Sequence, residues 1–346
     1  LYRYGQKVSA LLQDSIYAAA YGAIGISIGI LISSVVGFLH ILFVFLIYRK
    51  SSGRKEQLKN QDRGQHIFRM LMGTALPFMI YALLGRGILL LDGILFIRQK
   101  EGTADTVLLW GNYYGKCLPV LGIMILFCIL FHEGYIRRII YFMDREEFRM
   151  ARERMAEFMQ HIILISFPVA VFTAVFSENL LNLFFKGNNA SLAQAVATGS
   201  ILIPLFAISY ACAELLVRMR KMRYVLSLEG IAAITHGILM IVLLQSMGDS
   251  LFGILIAQIV PLAVFTVLSF ILVLRGIQYR IDYMRRLAFP AATAAAAGLV
   301  CLAFNKLLSS FAGSTVSMII CIPVGIVIYI ISVSYTHLTL PTIYSV

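Results

Sequence analysis

Of the ionisable residues that fall in apolar runs, three are the ones best placed to do chemistry. Arg86 and Asp92 fall in the run 70–96, and Lys116 falls in the run 109–134. A charged group at bilayer depth costs about 2.5–3.5 kcal/mol on insertion scales, so each needs a partner or a task. With a rise of about 1.5 Å per residue, Arg86 lies within roughly 5 Å of the middle of its run, and Asp92 lies nearer one end. Asn112 and Tyr113 precede Lys116 by about one helical turn and share its face. If Arg86 and Lys116 face one water-filled cavity, their chemistry suits a phosphate or diphosphate, the guanidinium as a fork and the ammonium as a point charge. If instead Asp92 pairs with Lys116 or Arg86, the charges hold a helical hairpin together. The candidate substrate-binding set is therefore Arg86, Asp92, Asn112, Tyr113 and Lys116.

Other polar groups are less pointed. Glu214 stands one turn before Arg218 and can pair with it, while Glu229 suits the dipole of a helix start. His161 and His236 are either proton-relay groups or packing residues. Gln258 and Tyr210 are candidate cavity liners. No GxSxG, HExxH, Walker or EF-hand pattern occurs, so the residues make no case for an enzyme. The five cysteines lie singly in apolar runs, without CxxC or zinc-like Cys/His spacing, and no metal or cofactor is expected.

The elements that must position these groups are helices. The 346 residues are 60% hydrophobic and only 13% charged, with a mean hydropathy of +0.86. A soluble domain carries roughly 25% charged residues. Apolar runs of spanning length occur at about 20–48, 70–96, 109–134, 159–184, 193–217, 225–246, 251–275, 288–306 and 316–334. They are too long for strands and do not alternate with period two. An all-α, multi-pass membrane protein with nine transmembrane helices is expected.

The net charge of +12 sits mostly in alternate connections, after the first, third, fifth and seventh runs. Residues 49–69, 137–154, 218–223 and 275–286 hold most of the 29 lysines and arginines. This pattern assigns those connections to the cytoplasmic side and accounts for the charge without nucleic acid. It places residues 1–19 outside and the C-terminus inside, which implies an odd number of spans upstream of Leu1. The segment Asp144 to Phe158 is charged but amphipathic. It reads as a helix on the membrane surface, or as a solvated helical extension. Gly25, Gly29, Ser33 and Gly37 form a small-residue stripe suited to helix packing. Seven of the eight prolines lie within or beside the runs, where bent helices would suit alternating shapes. The tail from Tyr335 to Val346 breaks with this composition, resembles translated sequencing-adapter read-through, and is assigned no function.

Several short motifs, in order, resemble a known family. Tyr4-Gly5-Gln6-Lys7-Val8-Ser9 and Ala19-Ala20-Tyr21-Gly22 resemble the entry to the sixth helix of stage V sporulation protein B-type transporters. Ala75-Leu76-Pro77 with Asp92 resembles the seventh helix, Tyr114-Gly115-Lys116 with Pro119 the eighth, and Phe167-Pro168 with Glu178 the ninth. The resemblance covers about residues 1–275, with 288–334 matching in span pattern only. Its superfamily is the multidrug/oligosaccharidyl-lipid/polysaccharide exporters, which include lipid II and polysaccharide flippases. The resemblance implies fourteen helices in two six-helix lobes plus two more, of which this chain would hold the sixth to the fourteenth. Residues 1–48 would end the first lobe, 49–69 would be a basic cytoplasmic linker, 70–275 the second lobe, and 288–334 the two extra helices. It further implies a monomeric transporter in the bacterial cell membrane. By alternating access, it would flip an undecaprenyl-pyrophosphate-linked oligosaccharide. Membrane lipids are its other partner, and its coupling ion is open. Arg86 matches no motif of that family. The alternatives are a drug or cation antiporter with an acidic, aromatic cavity, and a non-transporting scaffold whose charges are all paired.

Overall fold

The structure is a computed structural model, and it describes residues 2–13, 16–51, 64–99, 104–185, 189–247, 251–279 and 284–339. Most of the expected linker (52–63), the tail from 340 onward and the Arg86 side chain lie outside the described residues. Those described contain helices and no strand. In hydrocarbon every backbone N–H and C=O must be satisfied within its own segment, and helices do this for long apolar runs.

The helices are α1 (Tyr2–Leu12), α2 (Ile16–Ser51), α3 (Gly64–Gln99), α4 (Ala104–Asn112), α5 (Leu118–Ile129), α6 (His132–Asp144) and α7 (Phe148–Val175). They continue with α8 (Ser177–Phe184), α9 (Ala190–Gly199), α10 (Leu202–Arg218), α11 (Met222–Ser246), α12 (Leu251–Ile277), α13 (Phe289–Ala312) and α14 (Ser314–Thr339). Among the described residues, nine segments are long and apolar enough to cross a membrane. This is the architecture of an all-α, multi-pass membrane protein.

Two compact units are present, Leu1–Phe68 and Arg69–Val346. In the first, α1 packs on α2, with the Tyr4 and Tyr21 rings edge to face at 5.4 Å. No described atom lies within 4 Å of a Cβ built at Gly29 or Gly37, so these two positions of the small-residue stripe have no packing neighbour among the described residues. The second unit has its core where α5, α7, α9, α10 and α12 meet, around Leu121, Phe158, Ile162, Ile203, Leu215 and Leu255. A smaller cluster of Ala294, Ala297, Tyr329 and Val333 joins α13 to α14.

Two expectations change. The charged stretch to Phe158 is not a separate surface helix; it is the first turns of α7, continuous with its span. Ala151, Met155 and Phe158 are fully buried there, so the amphipathic face continues the packing stripe of the span, as a helical extension does. The third span ends sooner than its hydropathy indicates. It breaks at Leu130–Phe131 and restarts as α6, which carries Arg137 and Arg138.

Proline positions explain a local irregularity. Pro119 and Pro290 each follow a π-helical turn, Tyr113–Cys117 and Met284–Ala288. A proline ring clashes with the carbonyl four residues back and offers it no N–H. Widening the preceding turn relieves both problems, and such π turns recur at functional sites.

Candidate functional site

α3 is anchored in its unit by a small patch. Of its described residues only Asp92, Gly93 and Phe96 are buried, and they lie within two turns. Gly93 lets the Trp110 indole of α4 come close: a Cβ there would sit 3.0 Å from Trp110 Nε1. Trp110 also packs on Phe96 and on Tyr113, with ring centres 5.7 Å apart in each case.

The Asp92 carboxylate, completely buried, meets His236 of α11, with Oδ1 2.6 Å from Nε2. The other imidazole nitrogen, Nδ1, lies 2.7 Å from the carbonyl oxygen of Ala257 on α12. Gln258 completes the set: its amide donates to Asp92 Oδ2 over a long 3.4 Å, and its oxygen accepts from the Tyr113 hydroxyl at 2.8 Å. α3, α11, α12 and the π turn thus converge on one carboxylate.

This geometry restricts the protons. A backbone carbonyl only accepts, so His236 Nδ1 must carry hydrogen. Nε2 then either donates to an ionised Asp92 or accepts from a protonated one. In both cases one proton lies between Oδ1 and Nε2, and the pair is neutral overall. Remove it and a carboxylate would face an imidazole lone pair in an enclosed site. Tyr113 of the π turn is a further titratable group tied to the pair, through Gln258. Chemically, the arrangement can hold and release a single proton.

The expected set is therefore split. Asp92 and Tyr113 belong to this network. Lys116 does not pair with Asp92; its ammonium donates to Asn189 Oδ1 at 3.1 Å, and Asn189 in turn donates to Asn182 and to the Phe185 carbonyl. The reason is the π turn, which delivers Tyr113 to the network. Asn112 is half-buried at the end of α4. Arg86 lies on the backbone of α3, and its side chain is outside the described residues. His236 and Gln258, read in the sequence only as a relay or packing residue and a cavity liner, are the direct partners of Asp92. No spacing in the sequence links positions 144 and 166 residues away from Asp92.

Glu214 accepts from Arg218 at 2.9 Å, as its spacing indicates. A second clamp was not legible: Arg218 also donates both ways to Glu133 of α6, at 2.8 and 2.9 Å. Close by, His132 is fully buried against Phe158 and near Tyr210, and neither ring nitrogen has a hydrogen-bond partner among the described residues. Burial, with some help from His161, pushes its imidazole down to about 4. The described residues contain no group of three or more potential metal ligands.

The chain matches no family model, no curated protein and no solved structure.

Proposed function

We propose that this chain is part of a proton-coupled membrane transporter that flips a pyrophosphate-linked, lipid-borne oligosaccharide by alternating access. The observation that carries coupling is the Asp92–His236 pair, with its one shared proton, at the buried patch that anchors α3. An apolar contact would hold a helix at least as well, because the desolvation of a buried ion pair offsets most of its attraction. A proton-dependent contact instead lets α3 dock when the pair is loaded and release when it is not. The cargo class rests on the family resemblance of the motifs in 1–275 and on the cation Lys116 in the same half of the hairpin.

The test uses the protein in liposomes containing a fluorescent undecaprenyl-pyrophosphate glycan and a pH gradient. Gradient-dependent flipping is expected for the whole transporter that contains this chain. Asp92→Asn should remove the gradient dependence while the protein still elutes as a folded species. Flipping that ignores the gradient would defeat the coupling, and no glycan movement by the whole transporter would defeat the cargo. Unchanged envelope assembly with Asp92→Asn and no transport at all would favour the scaffold reading.

One observation favours a second reading, the drug or cation antiporter. The Glu229 carboxylate lies beside α3, 4.0 Å from a Cβ built at Gly85. An acid facing the middle of that span suits a cationic cargo, and uptake of a fluorescent organic cation, lost in Glu229→Gln, would identify it.

A further inference from the structure

At the basic ends of the spans, a pocket of about 250 Å³ opens between the end of α6, the turn joining α10 to α11, and the end of α12. Its wall is apolar on one side, from Ile140, Met143 and Met219, and cationic on the other, from Arg218, Arg220 and Lys221. Asp144 is the one acid in the lining. Arg218 is already engaged by Glu133 and Glu214, so among the described residues the uncommitted charge belongs to Arg220 and Lys221.

Both are held where they are by the backbone. The turn closes α10 with two capping bonds, Lys221 N–H to the Leu216 carbonyl at 2.8 Å and Arg220 N–H to the Val217 carbonyl at 2.9 Å. This motif places the residue after the cap in the left-handed region, where glycine is favoured. Arg220 occupies that position with φ of 61°. Gly276 forms the floor: a Cβ there would collide with Met219 Cε and sit 3.1 Å from Lys221 Nζ. An arginine in a glycine position, beside a lysine seated over a glycine, brings two cations to one pocket.

We propose that this pocket binds the phosphate of an anionic phospholipid, with Arg220 and Lys221 on the phosphate and the acyl chains against Ile140, Met143 and Met219. Basic pockets between helices on the cytoplasmic side recognise such headgroups. The volume is below the 300–1,000 Å³ of pockets that enclose drug-sized ligands, and suits a headgroup whose tails stay in the bilayer. The proposal does not depend on what the protein transports.

The test is lipid retention by native mass spectrometry, after reconstitution in phosphatidylcholine nanodiscs with and without phosphatidylglycerol. Native protein should keep phosphatidylglycerol in preference to phosphatidylcholine. Arg220→Gly and Lys221→Gln should each weaken retention by about fivefold, the weight of one cation near the membrane surface. Arg220→Gly removes a side chain from a backbone that glycine prefers, so its thermal unfolding in phosphatidylcholine should match or exceed the native value. Equal retention of the two lipids by native protein, or undiminished retention by the double variant, would overturn the proposal. So would displacement of the lipid by inorganic phosphate at similar concentration, which would make the site one for free phosphate.

Discussion

Two ion-pair clusters in the larger unit differ in what surrounds them. Asp92 and His236 have side chains 1% and 7% exposed. Arg218, Glu133 and Glu214 make more charged contacts, at 2.8–2.9 Å against 2.6 Å, yet their side chains are 32%, 50% and 30% exposed. Water screens the second cluster and is excluded from the first. The comparison teaches that the number of charged contacts says little about their weight; the medium decides it. The buried pair can therefore act as a switch, because changing its proton count alters the docking energy of α3. The half-exposed cluster can only trim the geometry of α6 and α10.

The contrast is sharpest when one partner is removed. Asp92→Ala or His236→Ala strands a buried polar group and should cost about 3–5 kcal/mol in detergent unfolding, whereas replacing both with leucine should recover most of it. A double-leucine variant as unstable as the single ones would mean that the pair is not a two-body unit.

His132 offers an intermediate case, a buried imidazole with no hydrogen-bond partner among the described residues. Its folded state takes up a proton only near pH 4, against 6.5 for the unfolded chain. Acid therefore protonates the unfolded chain first. The contribution is intact above about pH 6.5, falls by roughly 2–3 kcal/mol as the pH drops to 4, and levels off below. His132→Phe should flatten that segment of the stability profile, and a profile unchanged by the substitution would place the acid sensitivity elsewhere.

Smaller effects belong to the exposed charges. Arg218→Ala should lower stability by about 1 kcal/mol and lose part of that difference in high salt. Arg149→Ala, which breaks the largely exposed 3.3 Å contact with Glu153, should change unfolding by no more than about 0.5 kcal/mol. If Arg149 mattered as much as Arg218, exposure would not be the variable that ranks these pairs.

The legible part of this protein was its helical, membrane-crossing character. Apolar runs of spanning length and the absence of period-two alternation translate directly into helices, because backbone satisfaction in hydrocarbon leaves few alternatives. The i,i+4 partnership of Glu214 and Arg218 was legible for a similar reason: both residues ride one helix, whose pitch sets the distance. Asp92 stood out through the cost of a charge in an apolar run, but that cost names no partner.

Helix packing chose His236, Gln258 and Ala257 for Asp92, and a π turn ahead of Pro119 chose Tyr113 over Lys116. Sequence alone determined that the chain is a set of bilayer-length helices, since local composition and spacing are enough for that. Which side chains share a proton was decided by tertiary structure, because contacts between residues more than a hundred positions apart depend on how whole helices are rotated and stacked.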